Sequence, residues 1–270
     1  MITIGIDPIA GSIGPLTISW HGVFTMLAVV VGVGIVAYRA RGGGFSRDDI
    51  YSLALWAVPG GIIGSRLFHV VENLDYYLPN LRAALAFWEG GLGLWGALIG
   101  GTLAAILYAK VRGLPVGRLA DLIAPALPIA QAVGRIGCVI NGDAYGTPTN
   151  LPWGFVYTHP NAEATTRLWV PGHPAPVYEM AWDMIVLASV LLLRRRLPAE
   201  GMLYLVYISM YSVGRFFISF VREEAVIFGG LHQAHWIALL VLAVALPLLW
   251  HLYRRSKAAR AAIPPARLTP

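Results

Sequence analysis

Three arginines lie inside long apolar stretches of the sequence, at Arg66, Arg135 and Arg215. An ionised side chain at the centre of a membrane helix costs roughly 2.5–3.5 kcal/mol, so such residues usually face an interior cavity and serve a function. A guanidinium matches the oxygens of phosphate or carboxylate with two parallel hydrogen bonds. The sequence therefore predicts a cationic chamber that binds an anionic phospholipid headgroup.

Acidic residues offer a structural alternative for the same arginines. Glu179 and Asp183 are four residues apart, hence on one face of a helix, and either could pair with Arg215. Arg66 could extend outward and pair with Glu72. Charge balancing is the role that the sequence favours for the two acids, ahead of general base catalysis.

Histidine and cysteine give weaker signals. His21 lies in an apolar stretch, where a hydrogen-bonded core histidine is more common than a catalytic one. His232 and His235 are three residues apart, but no carboxylate cluster of recognisable spacing accompanies them, so we predict no metal. The single cysteine, Cys138, excludes an intramolecular disulfide and a multi-thiolate metal site.

The composition is that of a membrane protein. Hydrophobic residues make up 57% of the 270 residues and charged residues only 13%, against about 25% charged in a soluble domain. The net charge of +6 does not indicate nucleic-acid binding, because the basic residues cluster between apolar spans. The sequence predicts an all-α integral membrane protein.

Seven stretches are long enough to cross a bilayer core at 1.5 Å per residue. They are residues 16–37, 50–71, 92–109, 122–140, 176–193, 202–221 and 234–252. Basic residues are concentrated in alternate loops and in the C-terminal tail, which places the N-terminus outside and the C-terminus in the cytoplasm. We expect one membrane domain over 1–270, a small outer cap at 141–175 and a basic cytoplasmic tail at 254–270.

The run from Gly134 to Asp143 resembles the signature of the prolipoprotein diacylglyceryl transferase family, G-R-x-G-N-F-x-N-G-E. The resemblance extends over nearly the whole chain, in order, through Ser19-Trp20-His21-Gly22, Gly64-Ser65-Arg66, Trp88-Glu89-Gly90-Gly91, Asp121-Leu122-Ile123-Ala124-Pro125, His173-Pro174, Tyr178-Glu179, Tyr211, Arg215-Phe216, Arg222 and Gln233.

The resemblance implies an enzyme that transfers the diacylglyceryl group of phosphatidylglycerol to the lipobox cysteine of a prolipoprotein signal peptide and releases glycerol phosphate. It implies a multi-pass protein of the bacterial cytoplasmic (inner) membrane, without a cofactor and without a nucleic-acid partner. The alternative is a divergent member that binds phospholipid in the arginine chamber without this activity, or that uses another acceptor.

The resemblance also implies roles for individual residues. Arg135 and Arg215 would be catalytic through their positive charge, and His21 is the candidate base. Phosphatidylglycerol would be bound by Arg135, Arg66, Arg222, Asn141 and Gly142. Supporting residues would be Asp143, Tyr178, Glu179 and Gln233.

The chain departs from the family pattern at several polar positions. His21 stands where the family has tyrosine, Trp95 where it has histidine, Cys138 where it has asparagine, Val139 where it has an aromatic residue, Asp143 where it has glutamate, and Ser219 where it has glutamate. The phosphate-binding arginines are kept. We expect Cys138 to act as a small apolar filler beside the site, and the protein to be active although Trp95 cannot accept a proton.

Overall fold

The computed structural model describes residues 1–14, 16–86, 91 and 93–261. The predicted motif residues Trp88, Glu89 and Gly90 and the end of the basic tail beyond 261 lie outside this range. The chain divides into two compact units. One contains residues 1–34 and 120–270, and the other contains residues 35–119.

Helices dominate the described part of the chain, with short strands between them. The helices are α1 (Trp20–Gly43), α2 (Arg47–Glu72), α3 (Leu74–Tyr77), α4 (Leu94–Val111), α5 (Val116–Ile123), α6 (Ala126–Asn141), α7 (Ala175–Leu193), α8 (Met202–Ile218) and α9 (Gln233–Ala261). The strands are β1 (Ile2–Ile4), β2 (Ile9–Ile13), β3 (Leu16–Ser19), β4 (Phe155–Tyr157), β5 (Val226–Phe228) and β6 (Leu231–His232).

Length and composition make this a multi-pass helical membrane protein. Within the described residues, five helices are long and apolar enough to cross a bilayer, namely α1, α2, α7, α8 with its following turn, and α9. The bent pair of α5 and α6 makes a sixth candidate. Helix α4 is apolar but shorter.

Two predicted spans differ from the structure. The first helix begins at Trp20 and not at residue 16, because Leu16–Ser19 pairs as β3 with the antiparallel strand β2. The fourth span is broken, and α5 and α6 meet at 45°. The break falls before α6 at Pro125, which has no N–H to donate to a continuous helix.

The unit of residues 35–119 is built on close contact between α2 and α4. Glycines face each other at their crossing. An added Cβ at Gly64 would lie 2.3 Å from the Gly96 carbonyl oxygen, and one at Gly100 would lie 2.3 Å from the Gly60 carbonyl oxygen. Small residues let membrane helices approach closely where no hydrophobic effect drives their association.

The other unit holds α6, α7 and α8 together through buried polar contacts. The Asp121 carboxylate accepts hydrogen bonds from the backbone N–H groups of Gly201 (2.7 Å) and Tyr204 (3.0 Å), which fixes the start of α8. The Tyr207 hydroxyl on α8 donates to Gln131 Oε1 on α6 at 2.9 Å. Because these helices carry Arg135, Glu179 and Arg215, the contacts set the geometry of the candidate site.

The segment expected to form the outer cap, residues 141–175, has a small apolar core of its own. Strand β4 pairs in parallel with β1. Phe155 and Tyr157 from β4 pack with Ala162 and Ala164 in a buried cluster. The Thr147 N–H donates to the Val221 carbonyl at 2.9 Å, which ties this segment to the end of α8.

A matched pair of glycine substitutions tests how α7 and α8 pack. An added Cβ at Gly214 would lie 2.0 Å from Trp182 Nε1, whereas one at Gly134 would lie 3.9 Å from Ala28. We expect Gly214→Ala to lower the free energy of unfolding by roughly 1–3 kcal/mol through overpacking. Gly134→Ala should be neutral or stabilise the protein by up to about 1 kcal/mol.

Thermal unfolding of the two variants in detergent micelles measures this difference. Each glycine immediately precedes a site arginine, so the pair controls for position in the sequence. Equal melting midpoints for the two variants would contradict the packing described here.

Candidate active site

Three arginines converge on one carboxylate in the interior of the unit that contains α6, α7 and α8. Glu179 forms ion pairs with Arg135 through Oε2 and with Arg215 through Oε1. Arg222 Nη1 donates to the same Oε1 at 2.9 Å. With Glu224, these side chains form what we call the arginine cluster.

Glu224 closes the cluster from its far side. Its Oε1 accepts from Arg215 Nη2 and from Arg222 Nε, each at 2.7 Å. His232 Nδ1 lies 3.9 Å from Glu224 Oε2. The sequence interpretation missed Glu224, although an acid two residues beyond Arg222 at the end of an apolar span was a signal that could have been used.

Local structure brings Arg222 back beside Arg215. Helix α8 ends at Ile218 and continues as a 3₁₀ turn, Ser219–Val221, after which the chain is extended at Arg222. Arg215 in the last turn of α8 and Arg222 after the 3₁₀ turn, seven residues apart, share the carboxylates of Glu179 and Glu224. Ser219 is fully buried in the turn.

Burial makes the ion pairs of the cluster mutually dependent. The Glu179 side chain is 7% exposed, while Arg135, Arg215 and Arg222 are 25%, 19% and 12% exposed. An uncompensated charge in such a place is strongly unfavourable. The predicted pairing of Arg215 with Glu179 is present in the structure, and Asp183 is buried one turn further along α7.

A second group of side chains lies beside Arg135. Arg135 Nη1 donates to Cys138 Sγ at 3.6 Å, and His21 Nδ1 lies 3.8 Å from the same sulfur. His21 Nδ1 is also 3.5 Å from Asp143 Oδ2. The predicted base, the lone cysteine and an acid from the predicted supporting set are therefore neighbours.

Gly142 positions this acid. It ends α6 in the left-handed region at φ 76°, and its N–H donates to the Cys138 carbonyl at 2.9 Å. An added Cβ there would lie 3.2 Å from the Tyr157 ring. Glycine therefore fits for both conformation and space, and Asp143 follows directly on the loop.

The remaining predicted residues of this unit surround these two groups. The half-buried Asn141 is the last residue of α6, and its carbonyl accepts the Glu163 N–H at 2.9 Å. The Tyr178 hydroxyl accepts from Trp153 Nε1 at 2.9 Å and lies 3.3 Å from His173 Nδ1. Gln233 is exposed at the start of α9.

A buried phenol supports the end of α6. The Tyr157 hydroxyl donates to the Val139 carbonyl at 3.0 Å. Burial raises the pKa of Tyr157 well above its usual value, so the hydroxyl keeps the proton that it donates. The contact thus persists over the whole physiological pH range.

Arg66 lies in the other unit, and backbone carbonyls hold its guanidinium there. Nε donates to Ala84 at 2.9 Å, Nη1 to Gly91 at 3.0 Å and Nη2 to Ala83 at 2.5 Å. The Tyr77 ring lies 5.2 Å below the guanidinium. These contacts fix the orientation of Arg66, whose role in lipid binding stays a prediction.

Comparison with known proteins gives one consistent result. The family model described as "Prolipoprotein diacylglyceryl transferase" matches residues 8–251. A phosphatidylglycerol–prolipoprotein diacylglyceryl transferase from Nostoc sp. is 35% identical over 268 residues, which covers 97% of this chain and 95% of the relative. The enzyme of the same name from Clostridioides difficile is 36% identical over 234 residues, 87% of this chain and 90% of the relative.

Removing the charge of Glu179 tests the energetic role of the cluster. We expect Glu179→Gln to lower the free energy of unfolding by about 3–5 kcal/mol, because three guanidiniums lose a shared buried partner. Glu223→Gln removes the same charge from the more exposed pair with Arg167. It should leave the melting midpoint nearly unchanged, because water screens that pair.

Denaturation monitored by tryptophan fluorescence in micelles compares the two variants. A Glu179→Gln variant as stable as Glu223→Gln would show that the arginines do not depend on the Glu179 charge.

Proposed function

The chain belongs to the prolipoprotein diacylglyceryl transferase family, and from that premise we propose that Arg135, Arg215 and Arg222 bind the phosphate of its lipid substrate. The chain is an enzyme that transfers the diacylglyceryl group of phosphatidylglycerol to the lipobox cysteine of prolipoproteins. Its partners in this proposal are phosphatidylglycerol, the prolipoprotein signal peptide and the surrounding bilayer.

The observation that carries the phosphate proposal is the convergence of three guanidiniums on Glu179. Guanidinium donors that already face carboxylate oxygens suit phosphate oxygens as well. Among the five groups joined by direct ion pairs, three cations face two anions. The difference of one positive charge matches a phosphodiester monoanion.

The reaction is a displacement at a glycerol carbon. The substrate thiolate forms a new C–S bond with that carbon while the C–O bond to phosphate breaks. The bonding electron pair leaves on the phosphate oxygen, and glycerol phosphate departs. Arginines fixed in place before the reaction stabilise this developing charge without reorganisation.

The substrate thiol must also lose its proton. A free cysteine has a pKa of about 8.5, so a minority is ionised at neutral pH. The positive charge of Arg135 and Arg215 favours the thiolate. His21, 39% exposed and held near Asp143, accepts the proton in this scheme and passes it to water.

The other predicted residues take supporting roles in the proposal. Asn141 and the Gly142 backbone orient the glycerol, and Arg66 binds the headgroup. Tyr178, Gln233, Asp143 and Glu179 hold the binding residues in position. The reaction as written needs no organic cofactor.

We further propose a topology of seven spans, in which α5 with α6 forms one span and α4 another. The N-terminus and residues 141–175, as a small cap on the single membrane domain, face outward, and the tail from 254 is cytoplasmic. The bacterial inner membrane is the proposed location. Support comes from the basic residues, which concentrate in alternate loops and in the tail.

Replacing Arg135 by lysine tests the phosphate proposal. Lysine keeps the charge and loses the planar fork that holds two phosphate oxygens. We expect Arg135→Lys to reduce the turnover rate at least tenfold, which corresponds to about 1.4 kcal/mol of transition-state stabilisation. Arg167→Lys, outside the cluster, should retain the wild-type rate.

The assay measures glycerol phosphate released from phosphatidylglycerol in the presence of a lipobox peptide. Unchanged release by Arg135→Lys would show that Arg135 acts only as a point charge. An inactive wild-type protein would instead favour the divergent lipid-binding alternative.

Cysteine labelling tests the topology. In a Cys138→Ser background, Thr149→Cys should react with a membrane-impermeant thiol reagent in intact cells, and Lys257→Cys should react only after lysis. The physical reason is that basic segments remain on the cytoplasmic side. Labelling of position 257 from outside would refute the proposed orientation.

A further inference from the structure

Three different metal-ligating side chains point at one small volume beside Arg135. We propose that His21, Cys138 and Asp143 form a binding site for a divalent transition metal of the zinc class. Their ligand atoms, one nitrogen, one sulfur and one carboxylate oxygen, all lie within 4.8 Å of one another. The arginine cluster, which binds the lipid phosphate in the proposed transferase reaction, takes no part in this site, whereas His21 and Asp143 belong to both proposals.

The two separations measured from the His21 nitrogen fit a tetrahedral ion. With Zn–S near 2.3 Å and Zn–N or Zn–O near 2.0–2.1 Å, tetrahedral angles place nitrogen and sulfur about 3.6 Å apart and nitrogen and oxygen about 3.4 Å apart. The structure has 3.8 Å from His21 Nδ1 to Cys138 Sγ and 3.5 Å from His21 Nδ1 to Asp143 Oδ2. Both agree within about 0.2 Å with the ideal values.

The same geometry argues against a proton relay. In a relay, the two imidazole nitrogens contact different partners, so that one takes the proton of the nucleophile while the other is held by the acid. Here the Cys138 sulfur and the Asp143 carboxylate both face Nδ1 of His21. One shared nitrogen cannot serve both functions, whereas convergence on one point is what a cation requires.

The ligand types select the class of metal. Thiolate and imidazole suit zinc and related transition ions, whereas calcium and magnesium prefer oxygen ligands alone. Two anionic ligands, a thiolate and a carboxylate, balance the two charges of the ion. The hydrogen bond from Arg135 Nη1 to the sulfur, at 3.6 Å, is an outer contact that orients the Cys138 side chain.

The surroundings leave room for a fourth ligand. Cys138 is buried, while the side chains of His21 and Asp143 are 39% and 32% exposed. The site is therefore open on one side, where water could complete the coordination. Three protein ligands with an open position are typical of zinc sites that exchange ligands.

The fold brings the three ligands together from two separate segments. His21 lies in the first turn of α1, Cys138 near the end of α6, and Asp143 on the loop that follows α6. His21 and Cys138 are 117 residues apart in sequence, yet all three side chains are neighbours. In each case the residue present is a common zinc ligand.

Cobalt binding to the purified full chain in detergent tests the proposal. Cys138 is the only cysteine of the sequence, so a near-ultraviolet thiolate-to-Co²⁺ absorption band would report this sulfur alone. We expect one Co²⁺ per chain, a band that Zn²⁺ abolishes, and at least 100-fold weaker binding in Cys138→Ser and His21→Gln. By comparison, loss of a residue that only contacts a metal ligand lowers metal affinity about 10–100-fold.

Two further variants complete the experiment. His251→Gln removes an exposed histidine of α9 and should bind Co²⁺ as the wild type does. Asp143→Asn changes an exposed loop residue, so its weakened binding would not reflect misfolding. The proposal is overturned if wild type gives no thiolate band, or if the band survives unchanged in His21→Gln and Asp143→Asn. Glycerol phosphate release is measured separately with Arg135→Lys, so failure of the metal proposal is distinguishable from failure of the proposed function.

Discussion

The Glu179 carboxylate is the contact on which the rest of the site depends. Three guanidiniums meet on it inside an apolar bundle, where each charge alone would be costly. Glu179 offsets the cost of burying these charges. Because the side chains of Arg135, Arg215 and Arg222 stay partly exposed, Glu179 does not occupy all of their N–H donors. The chain can therefore hold concentrated positive charge at the place where we propose that the lipid phosphate binds.

Polar contacts between helices keep this carboxylate in place. The bonds of Asp121 to the start of α8 and of Tyr207 to Gln131 fix the register of the helices that carry the arginines. The Trp182 indole donates to the Met210 carbonyl at 2.9 Å between α7 and α8. In a membrane, where apolar packing discriminates little between helix registers, such directional bonds decide the geometry.

The C-terminal part of α6 contributes side chains to both the arginine cluster and the proposed metal site. Arg135 belongs to the arginine cluster, and one turn later Cys138 contacts both Arg135 and His21. The left-handed turn at Gly142 then brings Asp143 to the same place. An ion bound there would lie beside Arg135, so metal binding and the proposed lipid binding would influence each other electrostatically.

The sequence by itself determined the membrane class, the approximate position of most helices and the family. It also predicted a role for Arg135 and Arg215, because hydropathy and the cost of buried charge are local properties. Only the tertiary structure showed that Glu224 bridges Arg215 and Arg222. It also showed that His21 contacts Cys138, although the two residues are 117 positions apart in sequence. Contacts between distant residues depend on helix register and on the bend before α6. The bend follows from Pro125, but the register depends on hydrogen bonds between residues far apart in sequence, such as Tyr207 with Gln131, which no local pattern of residues encodes.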